Sequence, residues 1–261
     1  MSKTDPTGSQ ATLDGLKVLV TRPAGQATSL IETIHAQGGA AHAFPLIEIH
    51  PVEHCPETLA RIGDYELAIF VSRNAVECAW KWLSGSGLVD TEGESLKFAA
   101  VGQATAEALE QHGHPADIVP TDRFDSEGLL AMPELGAVAG KRILIIRGQS
   151  GREKLAESLR SRGAKVDYAE VYQRLATKQA LTFGANDIDV IVITSSEALV
   201  TLQQTAMDTD KPWLFDKQLL VLHERIAMRT RELGFKLNPV IADQASEVAL
   251  LDALHSMKSS S

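Results

Sequence analysis

Two doubly wound, flavodoxin-like α/β domains with parallel sheets, born of an internal duplication and joined by a two-stranded β connection, are what three observations in the sequence predict. First, the chain is written twice. KVLVTRPAGQATSLIETIHAQGGAAHAFPLIEI from Lys17 is matched by GKRILIIRGQSGREKLAESLRSRGAKVDYAEVYQR from Gly140, with Arg22 over Arg147 at an offset of 125. Tyr65–Val76 then falls on Ile188–Leu199 at an offset of 123, Phe98–Leu109 on Leu219–Thr230 at 121, and Ser126 on Ser246 at 120. A repeat of this length is two copies of a domain-sized unit, not a short-period solenoid. Second, short β-branched runs alternate with stretches whose apolar residues recur every three or four positions, as in Leu155 and Leu159 or Ala104, Ala108 and Leu109, the spacing of one helix face. Third, Gly38–Gly39, Gly113, Gly163 and Gly234 each stand just past such a stretch, where a left-handed cap is needed. Apolar strands alternating with helices imply parallel sheets covered on both faces.

Taken in order, the expected strands are Lys17–Thr21, Ala43–Ile49, Leu67–Ser72, Lys97–Val101, Asp117–Val119, Arg142–Arg147, Lys165–Tyr172, Val190–Thr194, Gln218–Leu222 and Lys236–Ile241. About five fall in each unit. Two segments break the pattern. Ala43–Val52 carries polar residues and prolines (Pro45, Pro51), and its mate Lys165–Arg174 alternates polar and apolar. Both are poor buried parallel strands and read better as an exposed two-stranded connection. The expected domains are then 1–45 with 173–261, and 50–168, with 44–52 and 169–174 as the linker. The first β-α of each repeat would pack with the remainder of the other. The alternative is two contiguous domains split near Gly140, and the residues alone leave both open. Met1–Thr12 and Ser256–Ser261 read as frayed tails.

Composition narrows the function. With 261 residues the chain suits two domains. Apolar residues make up 44% and charged residues 23%, as in an ordinary globular protein. A net charge of −9 argues against nucleic acid or an anionic membrane as partner, since both call for a basic footprint. It leaves an anionic small molecule possible. Cys55 and Cys78, with no C-x-x-C spacing, fit a reducing compartment. The N-terminal stretch lacks the apolar core of a signal peptide, and no apolar run approaches the roughly 18 residues of a membrane helix. A cytoplasmic monomer is expected.

In open α/β sheets ligands sit at the carboxyl ends of the strands. There the sequence places Thr21–Arg22, Ser72–Arg73–Asn74, Gly102–Gln103–Ala104–Thr105, Arg147–Gly148, Thr194–Ser195–Ser196 and His223–Glu224–Arg225. Most are followed at once by a helix, so backbone N–H groups can meet a carboxylate or phosphate. A serine there also serves simply as a helix cap. The matching places in both units nonetheless make Thr21, Arg22, Ser72, Asn74, Gly102, Thr105, Arg147, Thr194 and Ser195 the candidate substrate-binding residues. Sharper motifs fail. No G-x-G-x-x-G occurs, and Gly136–Lys141, GAVAGK, precedes a strand and is a turn. Glu48, His50, Glu53, His54 and Cys55 resemble metal ligands, but Pro51 disrupts helical presentation, so no metal is expected. His112 and His114 flank a turn glycine and read as solvated. No Ser/His/Asp triad can be assembled. Tyr172, in VYQR at the domain connection, is the tyrosine to watch, as an interface aromatic or as a functional hydroxyl.

The stretches LVTRPAGQ (Leu19–Gln26), FPLIEI (Phe44–Ile49), FVSRNAVE (Phe70–Glu77), AVGQATAEAL (Ala100–Leu109), DSEGLL (Asp125–Leu130), IIRGQSGRE (Ile145–Glu153), EVYQR (Glu170–Arg174) and ITSSEAL (Ile193–Leu199) together resemble the uroporphyrinogen-III synthase family, from about Leu16 to Leu254. Their order and coverage carry the resemblance. It implies two α/β domains that exchange their first β-α units through a two-stranded ladder. It implies hydroxymethylbilane, a linear tetrapyrrole with eight carboxylates, as substrate. The reaction would be loss of the terminal hydroxyl as water and closure with inversion of the last ring to give uroporphyrinogen III, without metal or organic cofactor. Tyr172 resembles the family's tyrosine at the cleft between domains, with a general-acid or orienting role. At Leu222–Ala227, LHERIA, His223 and Ile226 stand where many family members have glycine and threonine, which points to backbone contacts there. Two rivals are a two-domain small-molecule binding protein without catalysis and a nucleotide- or sugar-phosphate-handling enzyme. The first lacks an export signal or attached DNA-binding segment, the second the glycine fingerprint.

Overall fold

A computed structural model of the protein describes residues 12–84, 96–121, 123–151, 153–244 and 246–259. The strands are β1 (Lys17–Val20), β2 (Ala40–Ala43), β3 (Ile47–Pro51), β4 (Leu67–Phe70), β5 (Lys97–Ala100), β6 (Arg142–Gly148), β7 (Lys165–Ala176), β8 (Val190–Ile193), β9 (Gln218–Val221) and β10 (Val240–Ile241). The helices are α1 (Ala24–Ala36), α2 (Glu57–Ala60), α3 (Arg73–Leu83), α4 (Gln103–Gln111), α5 (Ser126–Ala131), α6 (Pro133–Gly136), α7 (Lys154–Ser161), α8 (Ser196–Asp208), α9 (Glu224–Glu232) and α10 (Glu247–Ser259). Contacts divide the chain into unit 1, Met1–Glu48 with Leu175–Ser261, and unit 2, Ile49–Arg174.

Unit 1 carries a parallel sheet in the order β10-β9-β8-β1-β2. Counted along the unit's own chain this is 2-1-3-4-5, the flavodoxin-like order. Alternation along each strand sends successive side chains to opposite faces. Leu19, Ile191, Ile193, Leu219 and Val221 join Leu199, Leu202 and Ile226 of α8 and α9 in one core. Val18, Val20, Val190, Val192 and Leu220 join Leu30 and Ile34 of α1 and Leu250 and Leu254 of α10 in the other. In unit 2 the sheet runs β3-β7-β6-β4-β5. Ala68, Phe70, Phe98, Ala100, Leu144 and Ile146 pack under Ala79, Leu83 and Leu109. Leu67, Ile69, Ala99, Ile143 and Ile145 pack under Leu129, Leu155 and Leu159. Leu19 and Leu144, matched in the repeat, lie in different sheets. Each sheet has β-strands from both halves of the sequence, so a contiguous split at Gly140 does not describe it.

Five expectations need correction. The strand expected over Ala43–Ile49 is two, β2 in the first sheet and β3 in the second. Phe44 and Leu46 donate their N–H groups to Val20 and Thr21, and Pro45 between them has none to give. Lys165–Tyr172 is also a genuine parallel strand, paired with β6 from Arg142↔Lys165 to Gly148↔Tyr172. Its polar residues face outward near the sheet edge, where only β3 lies beyond. Asp117–Val119 shrinks to one parallel bridge between Ala99 and Ile118, because Pro115 and Pro120 leave it no length. Lys236–Ile241 shrinks to Val240–Ile241 behind Pro239. The tail expected from Ser256 is helical through Ser259, held by Leu254 in the core and by His255 Nε2 against Gln37. Ser260, Ser261 and residues 1–11 lie outside the described residues.

Where the chain passes between the units, Val52 N–H donates to Val171 O (3.1 Å) and Thr177 N–H to Leu46 O (3.0 Å). Residue numbers rise on one strand as they fall on the other, so β3 and β7 run antiparallel. The positive φ of Gly38, Gly113, Gly163 and Gly234 (82°, 83°, 88° and 90°) marks the left-handed helix ends.

Asp125 gives a first prediction. Its carboxylate accepts from the Glu127 and Gly128 N–H groups, both at 2.9 Å, and caps α5. Burial raises its pKa, but the Gly128 N–H and Arg123 outweigh this and hold it below the ordinary carboxylate value. Asp125→Ala is expected to lower stability by about 1 kcal/mol at neutral pH. The native cap is present above the ordinary carboxylate range and is lost as pH falls through the depressed native value. Urea midpoints at neutral and acid pH should therefore separate variant and parent only at neutral pH.

Candidate active site

In unit 2 the strand order reverses between β4 and β6, the point where open α/β sheets bind ligands. Two residues past β4 stands Ser72, whose Oγ caps α3 by accepting from Ala75 N–H at 3.2 Å. β6 ends in Arg147 and Gly148. Between these residues its pairing with β7 shifts, so that Arg147 faces Glu170 but Gly148 faces Tyr172. Such an irregularity re-aims a side chain. Tyr172 is buried, and its hydroxyl lies 3.2 Å from Ser72 Oγ. Gly148 makes room for it: a Cβ there would come within 2.7 Å of the tyrosine ring.

A pocket of about 300 Å³ opens at this point, lined among others by Ser72, Arg147, Gly148, Tyr168, Tyr172 and Arg174. Arg147 is buried, its residue only 6% exposed. Nη1 donates to Glu153 Oε1 at 2.9 Å, Nε to Gly148 O at 3.2 Å, and the guanidinium lies 4.6 Å from the Tyr168 ring centre. Tyr168 donates its hydroxyl to the other Glu153 oxygen. That bond, followed by the one from Arg147, holds the Glu153 carboxyl below its ordinary range. Burial, then the bond to Glu153, pushes the Tyr168 phenol up.

The other candidates sit as follows. Asn74 is in the first turn of α3. Gly102 is the residue before α4, and Thr105 is buried with its N–H on Gly102 O. Neither these two nor Asn74 lines the pocket. In unit 1, Thr21 directly follows β1 and donates its hydroxyl to Val192 O at 2.6 Å. Arg22 follows, with Nη1 3.6 Å from Glu247 and a buried Nε without a partner. Burial lowers its pKa against the opposing pull of Glu247. Thr194 directly follows β8, and Ser195 caps α8 by accepting from Ala198 N–H at 3.0 Å. His223 precedes α9 without a side-chain cap, and Ile226 is fully buried in the core.

Sequence reasoning missed Tyr168, Glu153, Ser150 and Gly151. Only Tyr168 carried a signal, standing on the same strand as Tyr172. His112 and His114 are not simply solvated: His112 stacks on Trp80 at 4.6 Å and His114 lies 5.2 Å from the same ring. Among the described residues no three His, Cys, Asp or Glu side chains gather as a metal site. No helix among them is long and apolar enough to cross a membrane. Gly148→Ala is expected to push the Tyr172 ring aside, at about 1–3 kcal/mol of overpacking, and to lower both melting temperature and turnover. An unchanged melt would show that the ring yields freely.

The fold and these strand-end groups define a duplicated α/β protein with a pocket lined by tyrosines and arginines at a topological switch point. A family model described as uroporphyrinogen-III synthase HemD matches residues 28–252. The uroporphyrinogen-III synthase of Escherichia coli K12 is 36% identical over 249 residues, covering 92% of this chain and 100% of that one. That of Salmonella typhimurium LT2 is 36% identical with the same coverage. Among solved structures, a mutant uroporphyrinogen III synthase from the extremely thermophilic bacterium Thermus thermophilus aligns at a TM-score of 0.60 with 16% identity over 95% of this chain and 100% of that one. The Helicobacter pylori 26695 uroporphyrinogen-III synthetase aligns at 0.62 with 15% identity over 93% and 99%. The chain belongs to the uroporphyrinogen-III synthase family, lyases of porphyrin biosynthesis.

Proposed function

We propose that the protein closes hydroxymethylbilane to uroporphyrinogen III, with Tyr172 as the group that acts on the departing hydroxyl. The observation that carries this reading is the buried Tyr172 hydroxyl beside Ser72, at the mouth of a pocket with Arg147. In the reaction the hydroxymethyl C–O bond breaks and the hydroxyl leaves as water, taking a proton at its oxygen. Electrons for that departure come from the pyrrole that bears it. The substituted carbon of the last ring then attacks the electrophilic methylene and forms a spiro intermediate; its bond to the original methylene bridge breaks, that methylene bonds to the ring's free α-carbon, and the proton on that carbon is lost, which leaves the ring inverted. With the Ser72 hydroxyl as donor to the phenol oxygen, the phenol hydrogen is left for the leaving oxygen. The strand-end donors Thr21, Arg22, Asn74, Gly102, Thr105, Arg147, Thr194 and Ser195 hold substrate carboxylates, each for about 1 kcal/mol net and more where charge assists.

The bilane closes without enzyme, but without inverting the last ring. Enzymatic rate therefore resides largely in folding the chain for attack by the substituted carbon. Many backbone and hydroxyl donors reconcile a net charge of −9 with a polyanionic ligand. The same reading has the protein act as a cytoplasmic monomer without metal or organic cofactor, in keeping with two unpaired cysteines. Incubation with hydroxymethylbilane, oxidation and isomer analysis of the porphyrin tests it. The type III isomer in excess is expected; only the uninverted type I isomer would reject it.

A further inference from the structure

Arg147 does not meet the pocket as a bare cation. Glu153 holds it through one carboxylate oxygen and Tyr168 through the other. Glu153 itself is about half exposed, its side chain at 51%, whereas the Arg147 side chain is at 7%. The buried partner is fixed and the exposed one is able to leave. The glutamate recovers its hydration on swinging out, and the buried arginine stays compensated only if another carboxylate takes its place.

The surroundings favour an anion in the vacated place. The Arg160 guanidinium lies 5.5 Å from the Tyr168 ring centre and the Arg174 guanidinium 5.9 Å from that of Tyr172. Arg147 and Arg160 thus flank Tyr168 beside Glu153, and Arg174 lines the same pocket over Tyr172. Gly151 leaves space beside the guanidinium: a Cβ there would stand 3.0 Å from Arg147 Nη2. Unit 1 repeats the device. Arg22, at the matching place, faces Glu247 at 3.6 Å with its Nε buried and unpartnered, a defect that an incoming carboxylate would relieve.

We infer that Glu153 is an internal stand-in for a substrate carboxylate, and that a carboxylate of the linear tetrapyrrole displaces it from Arg147 and Tyr168 in the pocket of unit 2. This rests on the synthase reading of the same site. Glu153 is then a positioning residue that sets affinity. It keeps the buried arginine compensated between turnovers and competes with substrate for it. A merely structural Arg147–Glu153 staple would behave differently, since cutting either end would then loosen the same loop.

The two roles predict opposite signs. Glu153→Gln keeps the shape and loses the charge, so KM for hydroxymethylbilane should fall several-fold, while Arg147→Gln should raise it by about tenfold. Binding of uroporphyrin, the aromatic octacarboxylate, followed by fluorescence, should shift in the same two directions. If both variants weaken binding together, or if neither moves it, the inference is overturned. Should Arg147→Gln not fold, as circular dichroism would show, the sign for Glu153→Gln decides alone. A parent protein that makes no type III isomer would reject the synthase reading, whereas a parent that makes it while Glu153→Gln binds uroporphyrin more weakly would reject the stand-in alone.

Discussion

Tyr172→Phe is expected to slow conversion of hydroxymethylbilane by about tenfold or more, the largest catalytic loss of any single hydroxyl removal in the molecule. The phenylalanine ring keeps its seat against Gly148, so the fold survives. What goes is the contact at 3.2 Å with Ser72 Oγ and the hydroxyl proposed as proton donor. The remaining donors are many and individually small, so no other hydroxyl substitution should match it. Turnover under saturating substrate, with circular dichroism as the control, is the measurement. Unchanged turnover in Tyr172→Phe beside a large loss in Thr105→Ala or Ser195→Ala would reject the role given to the tyrosine. Catalysis would then be substrate folding by the other donors.

The largest loss of stability should come from Phe70→Ala. Phe70 is fully buried at the end of β4 and meets Phe98 edge-to-face at 5.6 Å and 80°. Truncation removes a ring from a core shared with Ala79, Leu83 and Leu144 and should cost about 3–5 kcal/mol. The cavity would lie two residues from Ser72, so activity should fall before the protein unfolds. Chemical denaturation gives the number, with Met228→Ala, at a residue 64% exposed, expected to stay within about 0.5 kcal/mol. A loss below about 1 kcal/mol for Phe70→Ala would mean that α3 and α4 close the space.

Much of this architecture was legible because duplication and periodicity are local signals. Leu67–Phe70 and Val190–Ile193 are apolar without interruption, and each is followed by a serine that caps the next helix. The errors arose where one residue type has two meanings. Pro45 read as a feature of one exposed strand, yet it divides two strands that belong to different sheets. Ile118 was apolar in a strand-like setting, but prolines on either side leave a single bridge. The site was legible in part for the same reason. Ser72 and Arg147 stand at or just past strand ends, where such folds bind ligands, and Tyr172 on β7 lies level with the end of β6. Glu153 and Tyr168 meet only because β7 returns to lie beside β6, whose end leads into α7. No spacing along the chain encodes that encounter.

The passage of the chain from one sheet to the other and back has a consequence for biosynthesis. Ile49–Arg174 is an uninterrupted segment and can fold as soon as it clears the ribosome. The unit around it cannot. Lys17 and Asp189 exchange two hydrogen bonds across 172 residues of sequence, and β1 occupies an inner position between β2 and β8. At about 5–20 residues per second, β1 waits roughly 10 to 30 s with β2 and α1 alone for company, a two-stranded fragment too small to be stable by itself. The half of the protein made first is thus the half completed last. During that interval Val18, Leu19 and Val20 expose an apolar edge to every other nascent chain, so chaperone demand and aggregation during expression should fall on the N-terminal segment even when the finished protein is robust.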